Sequence, residues 1–214
     1  MITTPELIVL LAANARPVRR LRSPLERTGV WLLLAAAVFV LLAVGHGVRP
    51  DLAQRIEHPV FVLGMAASLL TGVLAAVASF LISLPDRSRA WALLPVPTLV
   101  IWVLTVSYGC LSSWVAIGPD GMQVEEVARC FATLLLTSLP LSLALYLMLR
   151  HAALIRPAAV TMTGSLAVAA VTATSLSLLH NLDATIMVFV WNLGIAAIIV
   201  GIGGVLGIRA RAFA

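Results

Sequence analysis

Six apolar stretches, each about as long as a bilayer-crossing helix, decide what this chain can fold into. They run from about Thr28 to Val44, Pro59 to Ile82, Trp91 to Leu111, Val127 to Leu149, Ala158 to Leu179 and Thr185 to Ile208. A bilayer's hydrocarbon core takes roughly 20 apolar residues of helix to cross. Lipid offers no partner for backbone N–H and C=O groups, so only helices and closed barrels span it. Barrel strands are about 10 residues long and alternate strictly; these runs do neither. The chain is 61% hydrophobic and 11% charged, where a soluble domain is nearer 45–50% and about 25%. That balance excludes a water-soluble fold, a disordered chain and a disulfide scaffold. The sequence predicts an all-α, polytopic membrane protein with six transmembrane helices.

The breakers between the runs leave only short loops: Gly45 to Asp51, Ser83 to Arg89, Gly118 to Gly121, Arg150 to Pro157 and His180 to Asp183. No loop is long enough to hold a soluble domain. All 14 basic residues are arginines, and they sort by side. Eleven fall on the face that carries both termini, and three (Arg49, Arg55 and Arg129) fall on the other. Positive charge is retained on the cytoplasmic side, so both termini are expected in the cytoplasm. The outer face then holds His46, His58, His180, both cysteines and six acids, among them Asp51, Glu57 and Asp183, leaving His151 inside. A strongly basic chain can signal nucleic acid. Here the arginines read as topology marks, and no direct nucleic-acid contact is expected.

The chain divides into a cytoplasmic N-terminal segment, residues 1–27, a transmembrane domain, 28–208, and a tail, 209–214. A secretory signal carries a basic region ahead of its apolar stretch. Met1 to Glu6 carries none, and five arginines follow the apolar run instead. Thr4-Pro5-Glu6 has the form of a helix start, with Thr4 as cap, Pro5 in the first turn and an acid at the positive end of the dipole. Leu7, Leu10 and Leu11 share one face of the helix that follows, and Pro17 ends it. Too short to span, such a helix has two fates. It lies on the inner leaflet beside anionic headgroups, or it inserts into a partner's hydrophobic groove. The strip Pro17-Val18-Arg19-Arg20-Leu21 reads either as a basic anchor or as an extended recognition segment between prolines.

Cys110 closes the third run and Cys130 opens the fourth, across one outer loop. Three readings are open for them: small buried apolar residues, a disulfide if the compartment is oxidising and the α-carbons come within about 7 Å, or soft ligands for a thiophilic metal with His180, His58 or Asp183. No CxxC or HxxxH spacing marks a preformed metal site. Asn192 and Tyr108 read as helix-packing groups, and Gly203 with Gly207 forms a GxxxG pair that favours close packing or self-association. No catalytic set emerges, neither GxSxG, HExxH nor a phosphate loop, so no enzyme and no cofactor are expected. A small transporter or metal-efflux protein is the alternative; it usually shows buried charge at mid-membrane, and these runs are nearly free of it.

The order of several short motifs resembles the NrsF-type anti-sigma factors. They are Leu7-Ile8-Val9-Leu10-Leu11-Ala12, Pro17-Val18-Arg19-Arg20-Leu21, Leu94-Pro95-Val96-Pro97, Tyr108-Gly109-Cys110, Cys130-Phe131, Ser138-Leu139-Pro140, and His180 with Trp191-Asn192. The resemblance covers nearly the whole chain. It implies a six-span inner-membrane protein whose N-terminal segment, through Leu7, Leu10, Leu11 and Pro17 to Leu21, sequesters an extracytoplasmic-function sigma factor of the SigF type. It also implies release on a periplasmic heavy-metal or oxidative signal sensed at outer-face cysteines. The expected partners are therefore that sigma factor and the lipid bilayer. In one respect the chain departs from the pattern: where a cysteine often follows the histidine of the last outer turn, Asn181 stands here.

Overall fold

The computed structural model describes residues 3–13, 22–113, 124–150 and 157–179, together with 194, 197 and 198; the side chains of 11, 46, 109–113 and 124–130 are not part of that description. Within it the chain is helical. Helix α1 is Thr4–Ala13, α2 Pro24–His46, α3 Leu52–Ile56, α4 Pro59–Ile82, α5 Val96–Ser113, α6 Val124–Leu149 and α7 Pro157–Leu179, with a 3₁₀ turn over Arg89–Leu93 before α5. Five of these segments are long and apolar enough to cross a membrane: Pro24–Gly45, Pro59–Ile82, Arg89–Tyr108, Phe131–Leu149 and Pro157–Leu179. They match the first five expected runs. Of the sixth, Thr185 to Ile208, only 194, 197 and 198 are described, and Asn192, Gly203 and Gly207 lie outside the described residues.

The first span starts four residues earlier than composition alone places it. Ser23 accepts the Glu26 N–H at 3.2 Å and Pro24 occupies the first turn, a start in which the proline lacks only an N–H that would have been orphaned anyway. Arg27 therefore belongs to α2 rather than to the basic segment before it. At the other end Gly47 donates its N–H to the Ala43 carbonyl at 3.0 Å and takes φ +78°. That value lies in the left-handed region that glycine enters without a Cβ penalty. The short α3 then turns the chain into α4, whose first residue is again a proline, Pro59.

Helix α7 is the centre of the bundle, packed most extensively on α4 and also on α6. It is buried around nearly its whole circumference. A helix apolar on every side demands such a position, and Ala158–Leu179 is apolar or small throughout. Close approach to α4 follows from small side chains: Ala67, Ser68, Thr71, Gly72, Ala75, Ala76 and Ser79 on α4 meet the alanines and threonines of α7. Between helices in lipid, such packing supplies the attraction that the hydrophobic effect supplies in water. At Gly72 the fit leaves no room, since a Cβ there would lie 2.8 Å from Val171 Cγ2 and 3.3 Å from the Val171 backbone N. Ser68 and Thr174 share a hydrogen bond at 2.8 Å across the same seam. Most other hydroxyls donate back to their own helices: Thr71 to the Ala67 carbonyl, Thr137 to Thr133 and Ser175 to Val171.

The outer surface is apolar. Leu33, Leu41 and Val44 on α2 and Val100 and Leu104 on α5 are all exposed, as a lipid-facing belt requires. Tyr108 belongs to that belt: it is 63% exposed, not a helix-packing group. Near a helix end an amphipathic ring is well placed at the membrane–water interface, which accounts for a tyrosine there.

Candidate functional site

The N-terminal segment begins with α1, which is about 15 Å long at 1.5 Å per residue. Its cap is one residue earlier than the sequence indicates. Thr3, not Thr4, donates its backbone N–H to Glu6 Oε2 at 2.8 Å, and the Leu7 N–H reaches the Thr3 carbonyl at 3.0 Å. This is the reaching-back half of a capping box, in which the acid three residues into the helix satisfies the cap's own amide. The Thr3 amide holds the Glu6 carboxyl below its ordinary range. The cap moved because Thr3 stands three residues before Glu6 and Thr4 only two.

Leu7, Ile8, Val9 and Leu10 follow in unbroken succession, and all four are exposed. At 100° per residue they cover the circumference, so the polar surface of α1 is confined to Thr4 and Glu6 in its first turn. Leu11 belongs to the same helix. Helix α1 shares no extensive interface with the other described helices. Pro17, Val18, Arg19, Arg20 and Leu21 lie outside the described residues, and the chain is described again from Arg22.

The segment feeds directly into α2, and α2 is fastened at both ends by a buried arginine. At the near end, next to the segment, Arg27 donates through Nη2 to the Met148 carbonyl at the close of α6. Its guanidinium lies 4.8 Å from the centre of the Phe80 ring, near the end of α4. One further turn along, Trp31 is fully buried and donates Nε1–H to the Leu141 carbonyl of α6 at 3.1 Å. Together they hold the start of α2 against the ends of α4 and α6.

At the far end the loop after α2 carries Arg49, its side chain 2% exposed. Nε and Nη2 grip Asp51 Oδ1 and Oδ2 at 2.7 and 2.8 Å. Nη1 donates to the Ser177 carbonyl at 3.3 Å, and the Arg49 backbone N–H donates to Leu178 at 3.2 Å. The guanidinium also stands over Phe61 of α4, 5.9 Å from the ring centre. Arg55 adds a second contact to Asp51 at 3.5 Å. The last carbonyls of a helix lack intrahelical partners, and cations there also complement the dipole. Arg27 serves α6 in this way, and Arg49 serves α7. Both had read as topology marks on the sequence.

Helices α2, α4, α5, α6 and α7 alternate in direction, so the end of α5 and the start of α6 lie at the far face, with Arg49. Cys110 is on α5, three residues before its end, and Cys130 is on α6, in its second turn. Their side chains lie outside the described residues, as does His180, which follows α7 directly. His58 precedes α4 and makes no side-chain cap bond. Among the described residues no group of three His, Cys, Asp or Glu is placed to hold a metal. Nor does any acid, lysine or histidine sit within the described spans away from their ends.

Among the described residues the geometry defines a class: a helical bundle with an apolar outer belt, preceded in the chain by a short, exposed apolar helix. Within that class, residues 11–211 match the family described as NrsF, negative regulator of sigma F, and the chain belongs to that family. The protein is accordingly a negative regulator of a sigma factor. The match takes in the Pro17–Leu21 strip and the whole bundle, and it starts inside α1, after Leu7 and Leu10. No curated protein and no solved structure matches the chain.

Proposed function

We propose that this chain is an inner-membrane anti-sigma factor that sequesters an extracytoplasmic-function sigma factor through residues 1–27. The six expected spans put both termini in the cytoplasm, where the polymerase subunit is found. The observation that carries the reading is α1. A helix apolar on every side and exposed on every described side chain is unstable in water unless something encloses it. The thin polar surface, essentially Glu6, is poor support for lying on a membrane, where one charged face is needed. A hydrophobic groove on the sigma factor satisfies Leu7, Leu10 and Leu11 together. Pro17, Val18, Arg19, Arg20 and Leu21 then extend the contact with two cations and two apolar anchors.

Removal of residues 2–22 is expected to release the sigma factor's target promoters to the level seen without the protein. Unchanged repression by the truncated, membrane-inserted chain would sink the reading. Within the segment, Leu7→Asp/Leu10→Asp should abolish co-purification of the sigma factor. Arg19→Glu/Arg20→Glu should weaken it and lessen its salt dependence, since exposed charge pairs are screened by salt.

Signal reception belongs, in this proposal, to Cys110, Cys130 and His180 on the outer side, responding to a thiophilic metal or an oxidant. A Cys110→Ser/Cys130→Ser chain should repress normally and fail to release on cadmium or diamide treatment. A normal response would remove the thiols from the mechanism.

A further inference from the structure

A signal received at one face must reach a segment attached at the other, and α2 is the element that joins them. It runs about 34 Å at 1.5 Å per residue, beginning where the N-terminal segment ends and finishing three residues before Arg49. Each end is fixed by a buried arginine on the C-terminus of a different helix: Arg27 on Met148 of α6, Arg49 on Ser177 and Leu178 of α7.

The two fastenings differ in what holds them. Arg27 has a carbonyl and a ring and no acid among its described contacts. Arg49 is locked by a fork of two short bonds to Asp51, whose own carboxylate is about one-third exposed. The far fastening therefore presents a component to solvent, and the near one does not. It also grips the backbone two and three residues ahead of His180.

We propose that the Arg49–Asp51 clasp on the end of α7 is the control point that sets the hold of the N-terminal segment, with α2 as the strut between them. Arg49 and Asp51 are positioning residues, since neither touches the sigma factor. With the clasp closed, α2 is fixed at both ends and the segment leaves the bundle from one defined place. When the clasp opens, Ser177 and Leu178 lose their donors, the far end of α2 is free to tilt, and a stiff helix carries that movement to Arg27 and Ser23. A far-face event that stabilises the open clasp then lowers the affinity for the sigma factor, because two sites coupled through one two-state element shift together. This inference rests on the reading of residues 1–27 as the sigma-binding segment.

The test uses the full-length chain with Asp51→Asn, Phe61→Leu and Arg49→Gln, which weaken the clasp in steps, beside the chain lacking residues 2–22. Target transcription is measured per membrane-inserted molecule. Sigma-factor affinity and the thermal midpoint are measured on detergent-solubilised protein. The expected result is derepression of about fivefold or more, the scale of a coupling between sites. Affinity should fall in Asp51→Asn and Phe61→Leu by more than any fall in their midpoint accounts for, and a further variant, Arg49→Lys, should be partly rescued by its retained charge. The proposal is overturned if the clasp variants repress like wild type per inserted molecule while the truncation derepresses. It is equally overturned if their derepression follows loss of protein or of midpoint alone. If the truncation itself leaves repression intact, the reading of residues 1–27 fails, and the control point fails with it.

Discussion

Gly72 is where the bundle is least tolerant. The Cβ of an alanine would meet Val171 Cγ2 at 2.8 Å and Val171 N at 3.3 Å, and a β-branched side chain on a packed helix has almost no alternative rotamer. Gly72→Leu should therefore separate α4 from α7 at a cost of about 1–3 kcal/mol, the usual range for overpacking. Gly164 faces Leu145 Cδ2 at 2.9 Å, the far end of a flexible side chain, so Gly164→Ala should cost less. Gly29 has nothing within 4 Å of its added carbon, and Gly29→Ala should leave the thermal midpoint where it is. A midpoint series in one detergent checks all three; a Gly72→Leu chain as stable as Gly29→Ala would refute the close approach. At Asp51, the hydrogen-bonded Arg49 fork holds the carboxyl down to about 2 against the opposing effect of burial. A depressed carboxyl stabilises the fold above its ordinary value of 3.8, and that contribution disappears only as pH falls through about 2. Asp51 therefore keeps its charge, and the Arg49 fork its acceptor, in mildly acidic surroundings.

At the scale of elements, α1 carries its own pH response. The Glu6 carboxyl is held below its usual 4.5, first by the Thr3 amide. The charged form supports the helix start above that ordinary value, and the support is lost as pH falls through the lowered one. Amide-exchange protection in the first turns of α1 should decline on acidification below about pH 4.5, the ordinary glutamate value, and a Glu6→Gln chain should lack that transition. Persistence of the transition in Glu6→Gln would assign it elsewhere. The sequence made most elements readable, because runs of about 20 apolar residues bounded by prolines and glycines leave few alternatives. Pro24, Pro59 and Pro157 each open a helix. The short α3 was not readable: Leu52 to Ile56 is too brief to show a period. The earlier start of α2 was hidden because Glu26 and Arg27 read as loop until Met148 and Phe80 are seen to receive the arginine.

At the scale of the molecule, the proposed orientation has a direct check. Alkaline phosphatase fused after Gly47 should be active and after Arg87 inactive, since that enzyme folds only where disulfides form. The reverse pattern would invert the protein and move α1 away from any sigma factor. The candidate site was half legible. The apolar run Leu7 to Leu11 and the strip at Arg19 and Arg20 stand out in the chain because nothing else in it is both short and interrupted by charge. The seam of α4 and α7 could have been found from the density of Ala, Ser, Thr and Gly in Ala158 to Leu179, a signal for tight helix contact in lipid.

By itself, the sequence determined that the backbone must be helical and that most of its surface must be apolar, because lipid leaves hydrogen bonds no other partner. It also set the local starts and stops, since proline, glycine and capping residues act within a few positions of where they stand. Only the tertiary structure decided which helix is enclosed and what the arginines do. Arg27 and Arg49 look alike in the chain, two charges beside apolar runs. Their roles depend on carbonyls 121 and 128 residues away, at helix ends that come within reach only when the bundle is assembled.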